Sequence, residues 1–216
     1  MRLFLDTANI EHIRHGVRLG VISGVTTNPT IVSREGKVDY QKLVQEICSI
    51  VPGPVSTEVL SQDVAGMITE AREIARWAEN IVVKIPASLD GVEATSVLAK
   101  ENIKVNFTLC FSLNQAILGA AAGATFVSPF VGRLDDVGED GIRVVVDIVE
   151  YLEYYQLPTQ VIAASIRHPQ HCLAAAKVGA HIATVPYNVL LQMIQHPLTD
   201  TGIKRFLDDW KRTQQT

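Results

Sequence analysis

The sequence predicts an α/β fold, a (β/α)8 TIM barrel with an extra C-terminal helix. Eight short apolar runs alternate along the chain with eight helical patterns, which is the order of elements in such a barrel. The runs are apolar on both faces, as parallel strands are when both faces of their sheet are covered. A length of 216 residues suits one barrel domain, residues 1–216. A doubly wound open sheet is the alternative, but no G-x-G-x-x-G motif begins an early helix.

The first four strands are predicted at residues 3–6, 25–28, 55–60 and 81–86. Asn9 and Asp63 are candidate N-caps for helices that reach about residues 19 and 79. Between these two helices, another is predicted at 39–50. Pro29 is predicted to end the second strand, because a proline restricts the backbone of the residue before it.

The last four strands are predicted at residues 103–109, 126–131, 161–165 and 181–185. Helices are expected at 90–100, from the N-cap Ser112 to the stop at Gly123, from 141 to about 156, at 169–178 and at 187–195. The acidic, glycine-bearing segment 134–141 is predicted to be a loop.

One helix, at residues 200–214, follows no barrel strand. Its apolar side chains recur at i, i+3, i+4 and i+7, which gives a stripe of Ile203, Phe206, Leu207 and Trp210. The stripe either covers the barrel floor or packs on a neighbouring subunit, and the pattern favours neither.

The composition excludes several classes of protein. Hydrophobic residues make up 47% of the chain, charged residues 19%, and the mean hydropathy is +0.18, which indicates a globular core. The net charge of -4 leaves no basic surplus for nucleic acid. No run reaches the length of about 18 apolar residues that a membrane helix needs, and Asp6 interrupts any signal peptide. We expect a cytoplasmic protein with reduced core cysteines at 48, 110 and 172.

Lys84 is the residue that first suggests a reaction. It lies within the otherwise apolar run Ile81–Pro86. A buried ammonium is costly, so burial favours a free amine that attacks a carbonyl and forms a Schiff base. The alternative is a lysine that extends to the strand end and keeps its charge in water.

The other predicted strands also end in polar residues, at the end of the barrel where such folds carry their active sites. Asp6 and Glu58 are acids that could move protons during imine chemistry. Arg133 and Arg167, with the Ser165 hydroxyl, would suit a phosphate, although Arg133 could instead pair with Asp135 or Asp136. The remaining polar or lining residues at these ends are Thr26, Asn28, Asn106, Thr108, Ser128 and Phe130.

Metal binding is not indicated. His168 and His171 have i, i+3 spacing near a helix start, but no third ligand is near them in sequence, so we expect them at the surface. A nucleophile-elbow motif and a P-loop are also missing from the sequence.

These residues together resemble the small transaldolase family, which includes fructose-6-phosphate aldolase. The resemblance is carried by five segments in order along the chain, L-D-T-A at 5–8, G-V-T-T-N-P-T at 24–30, V-V-K-I-P at 82–86, S-P-F-V-G-R at 128–133 and A-A-S-I-R at 163–167. It implies that Lys84 forms an imine with a ketose phosphate, that Asp6 is the acid/base in carbon-carbon cleavage, and that Glu58 works through a water. No metal or organic cofactor is implied.

The resemblance also implies the binding residues and the assembly. Asn28, Asn106, Thr108 and Ser128 would hold the water and substrate hydroxyls, while Arg133, Ser165 and Arg167 would bind phosphate. Glu58 and Phe130 stand where fructose-6-phosphate aldolases carry Gln and Tyr, which favours transaldolase. Aldol cleavage with release of dihydroxyacetone and a non-catalytic sugar-phosphate-binding barrel are the alternatives. The family forms pentamers or decamers in which the terminal helix reaches a neighbour.

Overall fold

The computed structural model describes residues 1–37 and 39–214, so Val38, Gln215 and Thr216 of the expected 1–216 domain lie outside the described residues. Eight parallel strands close into a barrel in chain order, with the last strand pairing with the first. The predicted (β/α)8 fold is therefore confirmed. The strands are β1 Arg2–Asp6, β2 Ile22–Thr26, β3 Val55–Glu58, β4 Ile81–Pro86, β5 Val105–Cys110, β6 Phe126–Pro129, β7 Gln160–Ala163 and β8 Ile182–Val185.

The helices follow the strands on the outside of the barrel. They are α1 Ile10–Arg18, α2 Pro29–Ser33, α3 Tyr40–Ile50, α4 Val64–Ile74, α5 Leu89–Lys100, α6 Leu113–Ala121, α7 Val131–Asp136, α8 Gly141–Tyr154, α9 Pro169–Lys177, α10 Tyr187–Met193 and α11 Pro197–Thr213. The predicted N-caps Asn9, Asp63 and Ser112 each accept a backbone N–H of the first turn. Side-chain capping therefore fixes where these three helices begin.

Two short helices contradict the predicted element boundaries. Strand β2 ends at Thr26, and Pro29 begins helix α2, which Asn28 caps by accepting the Ile31 N–H at 2.9 Å. A proline is tolerated in a first turn because its missing N–H has no helical partner there. Helix α7 occupies part of the segment predicted to be a loop. It has no side-chain cap, and its Val131 N–H and Gly132 N–H donate to carbonyls beyond β7 instead.

The lower part of the barrel is filled by side chains. Phe4, Val82, Phe126, Ile162 and Ile182 form a buried cluster separate from the larger apolar layer that includes the buried faces of the helices. A Cβ atom on Gly24 would lie 2.5 Å from the Phe4 ring, so the absence of a side chain there admits the phenylalanine. With this end packed, the polar ends of the strands face a cavity at the opposite end.

The terminal helix α11 leaves its apolar stripe in solvent. The exposed fractions are 54% for Ile203, 73% for Phe206, 55% for Leu207 and 63% for Trp210. The stripe therefore does not cover the barrel floor of its own chain. The three cysteines are free and buried, as expected. Among the described residues, every helix is too short or too polar to cross a membrane.

Candidate active site

A cavity of about 220 Å³ opens at the carboxyl ends of the strands. Every predicted site residue lines it except Glu58, which reaches it through Lys84. The lining residues are Asp6, Thr26, Asn28, Thr30, Ile31, Arg34, Lys84, Asn106, Thr108, Ser128, Phe130, Arg133, Ala164, Ser165, Arg167 and Pro186. The sequence had predicted the convergence of strand ends that builds this cavity.

Lys84 lies at the inner end of the cavity, with 4% of its surface exposed. The parallel register of β3 and β4 makes Glu58 its direct neighbour across the sheet. The Lys84 Nζ lies 3.0 Å from Glu58 Oε2 and donates to the Thr27 carbonyl at 2.9 Å. The amine thus has a carboxylate within proton-transfer distance and is held on a buried strand, so it does not extend to bulk water.

Asp6 reaches the cavity from the end of β1. Its Oδ1 accepts a hydrogen bond from Thr26 Oγ1 at 2.7 Å, and the Thr26 hydroxyl lies 2.6 Å from that of Thr184. Burial raises the pKa of Asp6, because desolvation disfavours the carboxylate. The Thr26 hydrogen bond and the charges of Lys84 and Arg34 oppose this rise without cancelling it. A carboxyl with a raised pKa is a stronger base once it is ionised.

A chain of polar groups crosses the cavity wall between β3, β5 and β6. Ser128 Oγ donates to Asn106 Oδ1 at 2.6 Å, and Asn106 Nδ2 donates to Ser56 Oγ at 3.1 Å. The Thr108 hydroxyl is fully buried and has no hydrogen-bond partner in the described part of the chain. Thr108 lines the cavity, and its side chain would have to rotate to present this hydroxyl to a water or a substrate oxygen.

Two arginines lie on the side of the cavity formed after β6 and β7. The Arg133 guanidinium lies over the Phe130 ring, 5.1 Å from its centroid. Arg167 pairs with Asp136 at 2.7 Å. The ion pair with Asp136 that was considered for Arg133 is therefore made by Arg167. Ser165, between them, has a φ of +57°, a left-handed conformation that is uncommon outside glycine and is often found at functional sites.

Several cavity residues were missed by sequence reasoning. Helix α2 and its C-cap place Thr30, Ile31 and Arg34 in the cavity wall, and these residues were missed because α2 was not predicted. Tyr40, on α3, donates to the Glu58 carbonyl at 3.4 Å, and burial raises its pKa to about 12. The N-P-T sequence at residues 28–30, an N-cap followed directly by Pro, was a usable signal for α2, whereas nothing local indicated the contact of Tyr40.

His168 and His171 were both expected at the surface. His168 is exposed, but His171 is not. His171 is 9% exposed, and its Nε2 lies 2.8 Å from Asp135 Oδ2. Its burial follows from α7, which brings Asp135 against helix α9 and was not predicted. Within residues 1–37 and 39–214, the structure has no cluster of three or more His, Cys, Asp or Glu side chains arranged to hold a metal.

Comparison with known proteins identifies the family. A family model described as transaldolase/fructose-6-phosphate aldolase matches residues 3–216. The chain is 62% identical over 215 residues to a probable transaldolase of Dehalococcoides mccartyi, covering 99% of this chain and 100% of that protein. It is 59% identical to a probable transaldolase of Desulforudis audaxviator and 54% identical to one of Methanococcus maripaludis, each alignment covering 98% of both chains. The chain therefore belongs to the transaldolase/fructose-6-phosphate aldolase family.

Proposed function

We propose that this protein is a transaldolase of the pentose phosphate pathway. It transfers a dihydroxyacetone unit from sedoheptulose 7-phosphate or fructose 6-phosphate to glyceraldehyde 3-phosphate or erythrose 4-phosphate. The observation that carries the proposal is the buried Lys84 amine, 3.0 Å from Glu58 in a cavity that Asp6 also lines. The family membership and the names of the relatives support the same activity.

The reaction begins with a Schiff base. The Lys84 amine attacks the C2 carbonyl of the ketose, and the resulting carbinolamine loses water to give a protonated imine. Glu58 takes the proton from the attacking amine and returns it to the leaving hydroxyl, either directly or through a water held by the Thr108 hydroxyl.

Carbon-carbon cleavage then uses Asp6. Its carboxylate removes the proton of the C4 hydroxyl, the C3–C4 bond breaks, and the electron pair moves into the imine to give an enamine. The aldose phosphate leaves as an aldehyde. The raised pKa of Asp6 makes it an effective base here, and in the reverse direction it returns the same proton to the acceptor.

Positioning of the substrate would fall to the remaining residues. Arg133, Arg167 and Ser165 offer two charges and a hydroxyl to the phosphate, on the side where barrels of this kind often bind one. Thr26, Asn28, Asn106 and Ser128 would hold the sugar hydroxyls and the water. The mechanism needs no metal or organic cofactor.

Transfer is favoured over release because of Phe130. The enamine is freed as dihydroxyacetone only if an acid protonates its carbon, and phenylalanine has no hydroxyl to help deliver that proton. The unprotonated enamine waits for an aldose phosphate. Fructose-6-phosphate aldolase activity is the second candidate, and a silent sugar-phosphate binder is the third.

Coupled assays with fructose 6-phosphate distinguish these functions. A transaldolase produces glyceraldehyde 3-phosphate rapidly only when erythrose 4-phosphate is added as acceptor. An aldolase produces it, together with free dihydroxyacetone, at the same rate without acceptor. Binding of fructose 6-phosphate with no product in either assay would leave only the silent binder.

We also propose that the chain acts in the cytoplasm as a homo-oligomer, a pentamer or a decamer. The exposed stripe of α11 supports this proposal, because four large apolar side chains on one helix face remain in solvent in the single chain. An apolar groove between α1 and α10, lined by Leu19, Leu190 and Ile194 among others, offers a surface of matching character on a second copy.

A further inference from the structure

A buried histidine lies beside Arg167 and against the helix that carries Arg133, and the proposed mechanism assigns it no role. His171 is on the first turn of α9, and its Nε2 lies 2.8 Å from the Asp135 carboxylate on α7. The backbone N–H of Arg167 points at the other ring nitrogen, Nδ1, at 3.3 Å. The ring therefore connects the helix that carries Arg133 with the segment that carries Arg167 and Ser165.

These two contacts define the protonation state of the ring. Because Nδ1 accepts the Arg167 N–H, it carries no proton, and the proton must be on Nε2, where it is donated to Asp135. The pKa of His171 is lowered, first by burial and then by the charges of His168 and Arg167, against the opposing effect of Asp135. The neutral Nε2–H form is the one that satisfies both neighbours.

The segments on either side of the ring are tightly packed. A Cβ atom on Gly132 would lie 2.4 Å from the Ser165 carbonyl oxygen and 2.7 Å from the Arg167 Cγ. The Gly132 N–H donates to that same carbonyl at 3.1 Å, and Asp135 Oδ1 accepts the Gly141 N–H at 3.1 Å. Ser165 holds its left-handed conformation inside this network.

The side chain of Arg167 packs against Gly132 near its Cγ, but its charged end has little restraint of its own. About half of it is exposed, and its ion pair with Asp136 is equally exposed, so that pair adds little rigidity. Most of what fixes the guanidinium relative to Arg133 must come from the backbone. The only side-chain group that holds the Arg167 N–H among the described residues is the His171 ring.

We propose that His171 is a positioning residue for the anion site: through Asp135 and the Arg167 N–H it fixes the spacing of the Arg133 and Arg167 guanidinium groups that receive a phosphate. The inference rests on the proposed function only in taking that phosphate to be the substrate's. The ring does not touch substrate and acts through the two arginines.

Two substitutions separate the two contacts of the ring. Glutamine in H171Q retains an amide near the position of Nε2 but lacks the acceptor for Arg167, whereas asparagine in H171N retains an acceptor near Nδ1. Inorganic phosphate is titrated into each protein by calorimetry. We expect H171Q to bind phosphate about ten-fold more weakly, which corresponds to about 1.4 kcal/mol. H171N keeps the Arg167 contact but loses the Asp135 contact, so we expect it to bind about three-fold more weakly, or about 0.65 kcal/mol.

The matched control is H181Q. The His181 Nδ1 accepts the Val161 N–H at 3.2 Å, the same kind of contact at the opposite end of β7. We expect H181Q to leave phosphate binding unchanged. Equal weakening in H171Q and H181Q, or none in H171Q, would overturn the proposal. So would ¹⁵N chemical shifts of His171 that report an imidazolium or an Nδ1–H ring at pH 7.5.

Kinetics tie the anion site to the reaction. In H171Q the KM for fructose 6-phosphate should rise by the same factor as the phosphate dissociation constant, while kcat and trapping of phosphate-free dihydroxyacetone at Lys84 stay unchanged. If the unmodified protein traps no dihydroxyacetone yet H171Q loses phosphate affinity, the positioning role stands and the transaldolase proposal falls. A fall in kcat without a change in KM would contradict the positioning role.

Discussion

Asp6 and Lys84 line the same cavity, but different partners hold them. Lys84 is paired with Glu58 across the sheet, whereas Asp6 accepts a hydrogen bond from the Thr26 hydroxyl. This separation suits two consecutive tasks, imine formation at the lysine and proton removal at the aspartate. At this scale the sequence was informative, because the residue types and their positions at strand ends predicted both groups.

Replacing Asp6 by asparagine should separate the two steps. The Asp6→Asn protein keeps the hydrogen bond to Thr26 and should still form the imine, but kcat should fall by about 10²-fold to 10⁴-fold because the base is lost. The measurements are steady-state turnover and single-turnover imine trapping. Loss of trapping together with turnover would contradict the assignment of Asp6 to cleavage.

The same substitution should change how stability depends on pH. The pKa of Asp6 is raised in the folded protein above its ordinary value of 3.8, so folding favours its protonated form. Its contribution to stability is therefore complete below pH 3.8 and is lost as the pH rises through the higher folded value. The change in Tm that Asp6→Asn causes should therefore be more favourable at pH 7.5 than at pH 4. An equal Tm change at both pH values would contradict the shift.

Phe130 provides a test of reaction specificity. Phe130→Tyr adds a hydroxyl inside the cavity and should increase dihydroxyacetone release relative to transfer, by about ten-fold if proton delivery limits release. Phe111→Tyr is the control, because Phe111 packs edge-on against Phe130 with ring centroids 5.7 Å apart but does not line the cavity. An unchanged ratio in Phe130→Tyr would remove the explanation given for transfer.

At the scale of elements, the contact between α7 and the end of β7 organises the anion side of the site. Gly132 permits it, since a side chain there would meet the Ser165 carbonyl and Arg167. Gly132→Ala should cost about 1–3 kcal/mol of stability and raise the KM for fructose 6-phosphate. Gly202→Ala, on α11 with open space around it, is the control and should change neither. A Gly132→Ala protein with normal KM would show that Arg167 is placed independently of α7.

The elements show where sequence reasoning succeeded and where it failed. Strand ends and helices capped by their own side chains, such as α1 at Asn9, were predictable because the signal is local. Helix α7 was not, because carbonyls from residues 164 and 165 replace its side-chain cap. The burial of His171 depends on that helix. Arg34 was missed for a different reason, because the local signal for α2, Asn28 followed by Pro29, was interpreted only as the end of a strand.

At the scale of the whole molecule, the stripe of α11 should decide the assembly. Trp210 is 63% exposed in the single chain, and it should be buried if the helix packs on a second copy. Trp210→Glu should then lower the mass measured by light scattering from that of a pentamer or decamer to that of smaller species. Tyr154→Glu, on the exposed side of α8, is the control. A monomeric unmodified protein would contradict the oligomer proposal without affecting the mechanism.

Trapping of the imine tests the central claim most directly. The protein is incubated with fructose 6-phosphate, reduced with borohydride and digested, and the peptide that contains Lys84 is analysed by mass spectrometry. We predict a mass increment equal to a reduced three-carbon or six-carbon ketose adduct on Lys84, and none in Lys84→Met. An unmodified Lys84 peptide, or an adduct on another lysine in a protein that turns over substrate, would contradict the account.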